Sequence, residues 1–306
     1  MKFISDPVEP LEFDTVATIG VFDGVHLGHK KILSLLVDAA ALRGLKSAVV
    51  TFDPHPETVL RSVDLPLIVP LPERVRLLEE AGVDVTVCYR FTREFSTYTA
   101  KKFIVDIVVG TLNVKSLFVG NDFVFGRDRE GNAGVLGELG RCAGFEVNVV
   151  EPAIVGGEAV SSTSIRTMLQ AGEVKKAAEL LGRVFSLEGV VSEGEKRGKK
   201  IGFPTANLDT EWEILPKIGV YSTWAILNGK RHKSITNVGK RPTFGNNELL
   251  VETHIFDFDE DIYGERLRVE FVGRLRDERR FDGVKALVEQ ITKDVERAKE
   301  VLAALE

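Results

Sequence analysis

Two histidines three residues apart close the string Thr18-Ile19-Gly20-Val21-Phe22-Asp23-Gly24-Val25-His26-Leu27-Gly28-His29. The chemistry this string supports is anion binding. An apolar strand runs into a turn marked by Gly20 and Gly24, and Gly28 admits an anion to the first turn of the helix that follows. That turn offers unpaired backbone N–H groups to a phosphate. At a spacing of three, His26 and His29 share one face of it. Both can donate hydrogen bonds to a polyphosphate without abstracting a proton. A lone histidine here would more often cap or pack; the whole string, with Phe22 and Asp23, reads as a nucleotide phosphate site.

A second glycine-rich segment, Gly198-Lys199-Lys200-Ile201-Gly202-Phe203-Pro204-Thr205-Ala206-Asn207, does not match a Walker A loop. Thr205 and Asn207 are two apart, so an extended backbone points both oxygens the same way. Further on, Val251-Glu252-Thr253-His254-Ile255-Phe256 alternates as a strand, which places Glu252, His254 and Phe256 on one face. Glu252 is either a general base or a solvated carboxylate. A third string, Val160-Ser161-Ser162-Thr163-Ser164-Ile165-Arg166, opens a helix with hydroxyl donors at Ser162 and Thr163 and a guanidinium fork at Arg166. Alone it would be a good cap. The basic run from Lys196 to Lys200 is an ordinary solvated charge run, from which Lys199 or Lys200 could meet phosphate.

The elements that position these residues fall into two textures. From Val16 to Val150, apolar strands (Val16 to Val21, Lys46 to Phe52, Val83 to Tyr89, Ser116 to Val119, Phe145 to Val150) alternate with helical stretches (Lys30 to Leu45, Pro72 to Ala81, Thr99 to Val108, and a loop plus helix over Asn132 to Gly144). Strands apolar on both faces predict a parallel sheet covered by helices. Two short helices, Ser162 to Gln170 and Glu173 to Leu181, follow. Beyond Gly182, short strands rich in Val, Ile and aromatics predict a small antiparallel barrel. Asp282 to Leu302 is an amphipathic helix with Val284, Leu287, Val288, Ile291 and Val295 on one side, expected to cover the barrel. The boundary falls between Leu181 and Phe185, giving domains 1–182 and 183–306.

A chain of 306 residues suits two cores. Its net charge of -6 argues against broad nucleic-acid binding. Cys88 and Cys142 lie in or beside apolar runs and read as reduced, buried thiols. Met1 to Glu12 carries acids and prolines rather than a leader, and the longest apolar runs are too short to span a bilayer. The expectation is a cytoplasmic enzyme acting on small molecules, without nucleic acid or membrane, as a monomer or weak homo-oligomer.

The Phe-Asp-Gly-x-His-x-Gly-His string resembles the nucleotidyltransferase superfamily, and more closely the bacterial bifunctional riboflavin kinase/FAD synthetases. Thr51-Phe52-Asp53-Pro54-His55-Pro56, Gly120-Asn121-Asp122-Phe123-Val124-Phe125-Gly126 and the Ser-Ser-Thr helix start agree with that family in order. Gly202-Phe203-Pro204-Thr205-Ala206-Asn207 resembles its kinase signature, and Gly239-Lys240-Arg241-Pro242 resembles its Gly-x-Arg-Pro loop. The resemblance covers nearly the whole chain. It implies a Rossmann-like nucleotidyltransferase domain joining FMN to the adenylyl group of ATP, and a barrel phosphorylating riboflavin with ATP.

In that reading His26, His29 and Arg166 stabilise charge at the α-phosphate. Gly20, Phe22, Asp23, Gly24, Gly28, Ser162 and Thr163 surround the nucleotide, and Asn121, Asp122 and Phe123 shape the flavin side. In the barrel Gly198, Gly202, Pro204 and Arg241 bind substrate, Thr205 and Asn207 contact Mg²⁺ and phosphate, and Glu252 is the base. Mg²⁺ serves both reactions, and ATP, riboflavin, FMN and FAD are substrates or products. The alternative is a nucleotidyltransferase for another phosphorylated acceptor, carrying a flavin- or RNA-binding barrel without kinase activity.

Overall fold

Nearly every residue of the strands that begin at Thr15, Lys46 and Val85 is buried, as parallel strands covered on both faces must be. The computed structural model describes residues 1–194, 197–240 and 249–305. It divides into two compact units, Met1–Ser161 and Ser162–Glu306. In the first, β1 (Lys2–Ser5), β2 (Thr15–Ile19), β3 (Lys46–Asp53), β4 (Val85–Arg90), β5 (Val114–Gly120) and β6 (Glu146–Val150) make a six-stranded sheet in the order β1-β4-β3-β2-β5-β6. All of its pairings are parallel. β2 has β3 on one side and β5 on the other, so the winding reverses between β2 and β5. Open α/β sheets bind ligands at such a switch point, outside the carboxyl ends of the strands.

Helices α1 (Leu27–Arg43), α2 (Pro56–Arg61), α3 (Leu71–Glu80), α4 (Ala100–Phe103) and α5 (Ala133–Ala143) lie in the connections. α1 buries Leu33, Leu36 and Ala40, and ends at Gly44 in the left-handed region, φ 64°, which glycine adopts without steric cost. α4 continues into a π-helical stretch, Ile104–Thr111, where the hydrophobic period predicts an ordinary helix. β1, α2 and a small hairpin of β7 (Ile154–Val155) and β8 (Glu158–Ala159) have too few residues to show a period. Cys88 is buried, which pushes its thiol up to about 11. Cys142 is exposed on α5, contrary to the sequence expectation: it shares the helix with buried Leu136 and Gly140 but faces outward.

The second unit begins with α6 (Ser162–Ala171) and α7 (Val174–Leu181), which pack on each other, and α7 also packs on the barrel. β9 (Ser186–Ser192), β10 (Ala206–Asp209), β11 (Gly219–Leu227), β12 (Lys230–Lys240), β13 (Leu249–Ile255) and β14 (Arg266–Arg276) close in the order β10-β13-β12-β11-β14-β9, every pair antiparallel. A one-turn helix, α8 (Arg197–Lys200), precedes β10, and α9 (Val284–Ala303) follows β14. α9 covers the barrel, but with Ala298 and Leu302 fully buried in a cluster with Val220, Trp224, Ile235, Phe256 and Val272. Of the expected stripe, Leu287, Val288, Ile291 and Val295 are half-buried and Val284 is exposed. Asp294 also turns inward, where Arg276 donates to it at 2.8 Å and pins the helix to β14.

Candidate active sites

β2 ends at Ile19, and the chain then turns through two strained residues, Phe22 (φ 56°) and Val25 (φ 39°), with Gly24 between them at φ 80°. A side chain on Gly24 would meet Ile68 at 3.0 Å, so glycine is required there on both counts. The turn delivers His26 as the N-cap of α1. Its Nδ1 accepts from the His29 backbone N–H at 3.4 Å, so the neutral ring carries its proton on Nε2. The two imidazoles stack, centroids 3.7 Å apart and 18° from parallel. Gly28 makes room for the stack, since a Cβ there would lie 3.0 Å from the His26 ring. His26 is buried and His29 half-buried, with the Phe22 ring 4.9 Å behind His29.

Two charged residues fix this turn from beneath. The buried Asp23 carboxylate accepts from the backbone N–H of Ile68 at 2.9 Å and of Val69 at 3.3 Å. Arg74, on α3, is fully buried and donates to the Val21 carbonyl, the Thr51 hydroxyl and the Phe52 carbonyl, each at 3.0 Å. Its guanidinium also lies 3.8 Å from Asp53. One cation thus ties the carboxyl ends of β2 and β3 together. Sequence reasoning overlooked Arg74 because an arginine within a helix reads by default as solvated. Its only available signal was an off-pattern charge on the apolar side of the Pro72–Ala81 period.

At the end of β5, Asn121 and Asp122 are exposed and Phe123 is half-buried, in a turn closed by the Phe123 N–H to the Gly120 carbonyl at 3.1 Å. Phe123 stacks on Phe125 at 5.4 Å, and Phe125 rests on Phe103 at 5.7 Å. That row continues through Phe95 to Phe52, Tyr89, Phe91 and Tyr98. The row joins three segments distant in sequence: Phe52, the rings from Tyr89 to Phe103, and Phe123 with Phe125. Ser162 and Thr163 open α6, and Arg166 is buried in the same helix. These three belong to the second unit, the histidines to the first.

In the barrel, β10 pairs with β13 so that Asn207 stands directly opposite Glu252. Across the other edge of β13, Glu252 faces Asn237 of β12. Directly opposed side chains share a face, so Asn207, Glu252 and Asn237 form a row across three strands. Asn207 is buried, Glu252 half-buried. Two glycines close on the nucleotide-like segment. A Cβ on Gly194 would fall 2.1 Å from the Asn207 amide nitrogen, and one on Gly198 would fall 2.2 Å from the Phe203 carbonyl oxygen. Gly202 sits at φ 88°. Thr205 and Pro204 open on a cavity of about 240 Å³ lined also by Lys199, Ile255, Phe258 and Tyr263. Arg241 lies outside the described residues, as does Lys196.

The divalent ion expected from the sequence can be judged on its donors. Among the described residues no group of three or more His, Cys, Asp or Glu could hold a metal. Thr205 and Asn207 offer neutral oxygens, a set that fits Mg²⁺, which keeps several waters and takes substrate phosphates as ligands.

Residues 9–164 match the FAD synthetase family and residues 181–302 the riboflavin kinase family. The bifunctional riboflavin kinase/FMN adenylyltransferase of Bacillus subtilis is 38% identical over 93% of this chain and 91% of its own. The chain belongs to that family. Its Escherichia coli (strain K12) member is 37% identical over 93% of this chain and 92% of its own. A solved structure described as a macrolide-efflux protein from Streptococcus pneumoniae superposes with a TM-score of 0.91 at 32% identity, covering 98% of this chain and 99% of that one. No helix among the described residues here is long and apolar enough to cross a membrane.

Proposed function

We infer that this protein makes FMN and FAD: it phosphorylates riboflavin with ATP, then adenylylates FMN with a second ATP, releasing pyrophosphate. Membership of the family supports both activities. The observation that carries the kinase is the Asn207–Glu252 rung of β10 and β13; the cavity that opens at Thr205 is lined by Thr253 and Ile255, on the other face of β13. The cavity is smaller than the roughly 300–1,000 Å³ of a drug-sized site, which suits one end of ATP, with the polyphosphate running past Lys199 toward Thr205. Riboflavin's primary alcohol attacks the γ-phosphorus, ADP leaves, and the hydroxyl proton passes to the Glu252 carboxylate. A base is needed because an alcohol is a poor nucleophile near neutrality. Mg²⁺ held by Thr205 and Asn207 would neutralise charge on the phosphate oxygens.

The first site poses a different problem. The FMN phosphate is already anionic, so its oxygen attacks the α-phosphorus of ATP without a base, and pyrophosphate departs. The residues need only align and stabilise charge. The His26 Nε2–H, His29 and the amides of α1 suit that task, and the resemblance of the Ser162, Thr163 and Arg166 helix start to the family's phosphate-holding element supports a role for those residues as phosphate donors. Phe123 at the end of the aromatic row provides a stacking face for the flavin, flanked by Asn121 and Asp122. The adenylyltransferase function is assigned to residues 1–182 and the kinase to 183–306; α6 and α7 fall within the first range, although they pack with the second unit. The chain acts in the cytoplasm on small molecules alone, as a monomer or weak homo-oligomer. Its negative net charge supports the exclusion of nucleic acid.

The test is incubation with riboflavin, ATP and Mg²⁺ followed by chromatography of the flavins. FMN and FAD together are expected. FMN alone would remove the role of the histidine site, and unchanged riboflavin would remove that of the barrel.

A further inference from the structure

His254 shares its strand face with Glu252, yet neither reaction above uses it. The β10–β13 ladder runs Leu208–Val251, Asn207–Glu252, Ala206–Thr253 and stops. Two residues earlier Pro204 has no N–H to give, so backbone pairing cannot carry the segment further. The His254 side chain takes over. Its Nδ1 lies 2.7 Å from the Pro204 carbonyl oxygen. A carbonyl only accepts, so Nδ1 holds the proton and donates it.

The ring is braced edge-on by Phe203 at 5.5 Å and by the tilted ring of Phe256 at 5.8 Å. Burial keeps the imidazole below the ordinary histidine value, opposed by the hydrogen bond to Pro204 and the nearby Asp257 and assisted by Lys299. The neutral ring with its proton on Nδ1 is therefore the resting form. The residue after Pro204 is Thr205, at the cavity mouth. One imidazole thus joins the strand carrying the base to the segment that would hold phosphate.

We propose that His254 is a positioning residue for phosphoryl transfer: its Nδ1–H fixes the Pro204 carbonyl and so holds Thr205 in register with Asn207 and Glu252. The proposal rests on the reading of Thr205 and Asn207 as holders of the ATP phosphates. A side chain that merely filled space would be replaceable by phenylalanine. One that donates from the Nδ1 position is replaceable by asparagine, whose amide nitrogen reaches the same place, and not by glutamine, which donates from farther out.

The experiment measures FMN formation by the full chain carrying His254→Phe, His254→Asn, His254→Gln or Thr205→Val, with the KM for ATP and for riboflavin determined separately. His254→Phe and His254→Gln should raise the KM for ATP about three- to tenfold, the size of one lost hydrogen bond, with the riboflavin KM little changed. His254→Asn should recover most of the loss. Equal impairment of the Asn and Gln variants, or wild-type ATP affinity in His254→Phe, overturns the proposal. Should His254→Phe prove unfolded by circular dichroism, the Asn–Gln pair decides alone. If Thr205→Val leaves ATP handling unchanged, the reading of the phosphate segment fails; if it weakens ATP while every His254 variant behaves as wild type, only the positioning role fails.

Discussion

Glu252 stands between two amides, Asn207 on one neighbouring strand and Asn237 on the other, and its candidacy as a base follows from that row rather than from acidity alone. Glu252→Gln should lower kcat for FMN formation by roughly 10²- to 10⁴-fold, the usual worth of general-base catalysis, while adenylylation of supplied FMN continues; parallel assays of the two half-reactions check it. His29→Ala should act in the opposite sense. It removes one donor and the partner of the His26 ring, so FAD formation should fall by up to about 10²-fold with FMN formation intact. Equal damage to both reactions by either variant would mean the two sites are not chemically separate. The histidine pair was legible because capping, glycine turns and a spacing of three are local features. Phe22 and Asp23 were legible only as members of that string. In the fold Phe22 backs His29, and Asp23 grips the amides of Ile68 and Val69, so both act by shaping the turn.

The turn after β2 is held by contacts that come from other elements. Arg74 of α3 serves three acceptors at the ends of β2 and β3 while fully buried. Arg74→Met should cost about 2–3 kcal/mol, because the acceptors it leaves are shut off from water. Thermal or denaturant unfolding of the full chain should show the loss in the transition of the first unit, and adenylylation should weaken more than phosphorylation. An unchanged unfolding profile would mean that those acceptors find other donors. The longer elements were legible from their periods: β11 and α1 fall close to where alternation and helical spacing put them. β1, α2, β10 and the β7–β8 hairpin were not, since strands and helices of a few residues complete too little of a period to be seen. The face that α9 buries was legible in part: Leu287, Val288, Ile291 and Val295 of the expected stripe are half-buried, Val284 is exposed, and Asp294 joins the buried residues. A helical stripe shows which residues are apolar, but the inward turn of Asp294 depends on Arg276 arriving from β14.

On the proposed reading there are two phosphate sites, so a full chain should bind two ATP molecules. Calorimetry with a non-hydrolysable ATP analogue and Mg²⁺ should give a stoichiometry of two, falling to one in Thr205→Val at concentrations that saturate the first site; a single site in the unaltered chain would refute the double-site reading. The order of motifs along the chain, the change from alternating strands and helices to short strands, and the glycine-marked turn before the histidines could all be read from one dimension, because caps, periods and left-handed turns depend on neighbours a few residues away. Strand register, the convergence of aromatic rings at the sheet's carboxyl edge and the burial of Arg74 could not. Those depend on which distant segments meet when the sheet stacks and the barrel closes. Asn207 faces Glu252 through the register of β10 on β13, and a one-residue slip would turn the carboxylate to the opposite face.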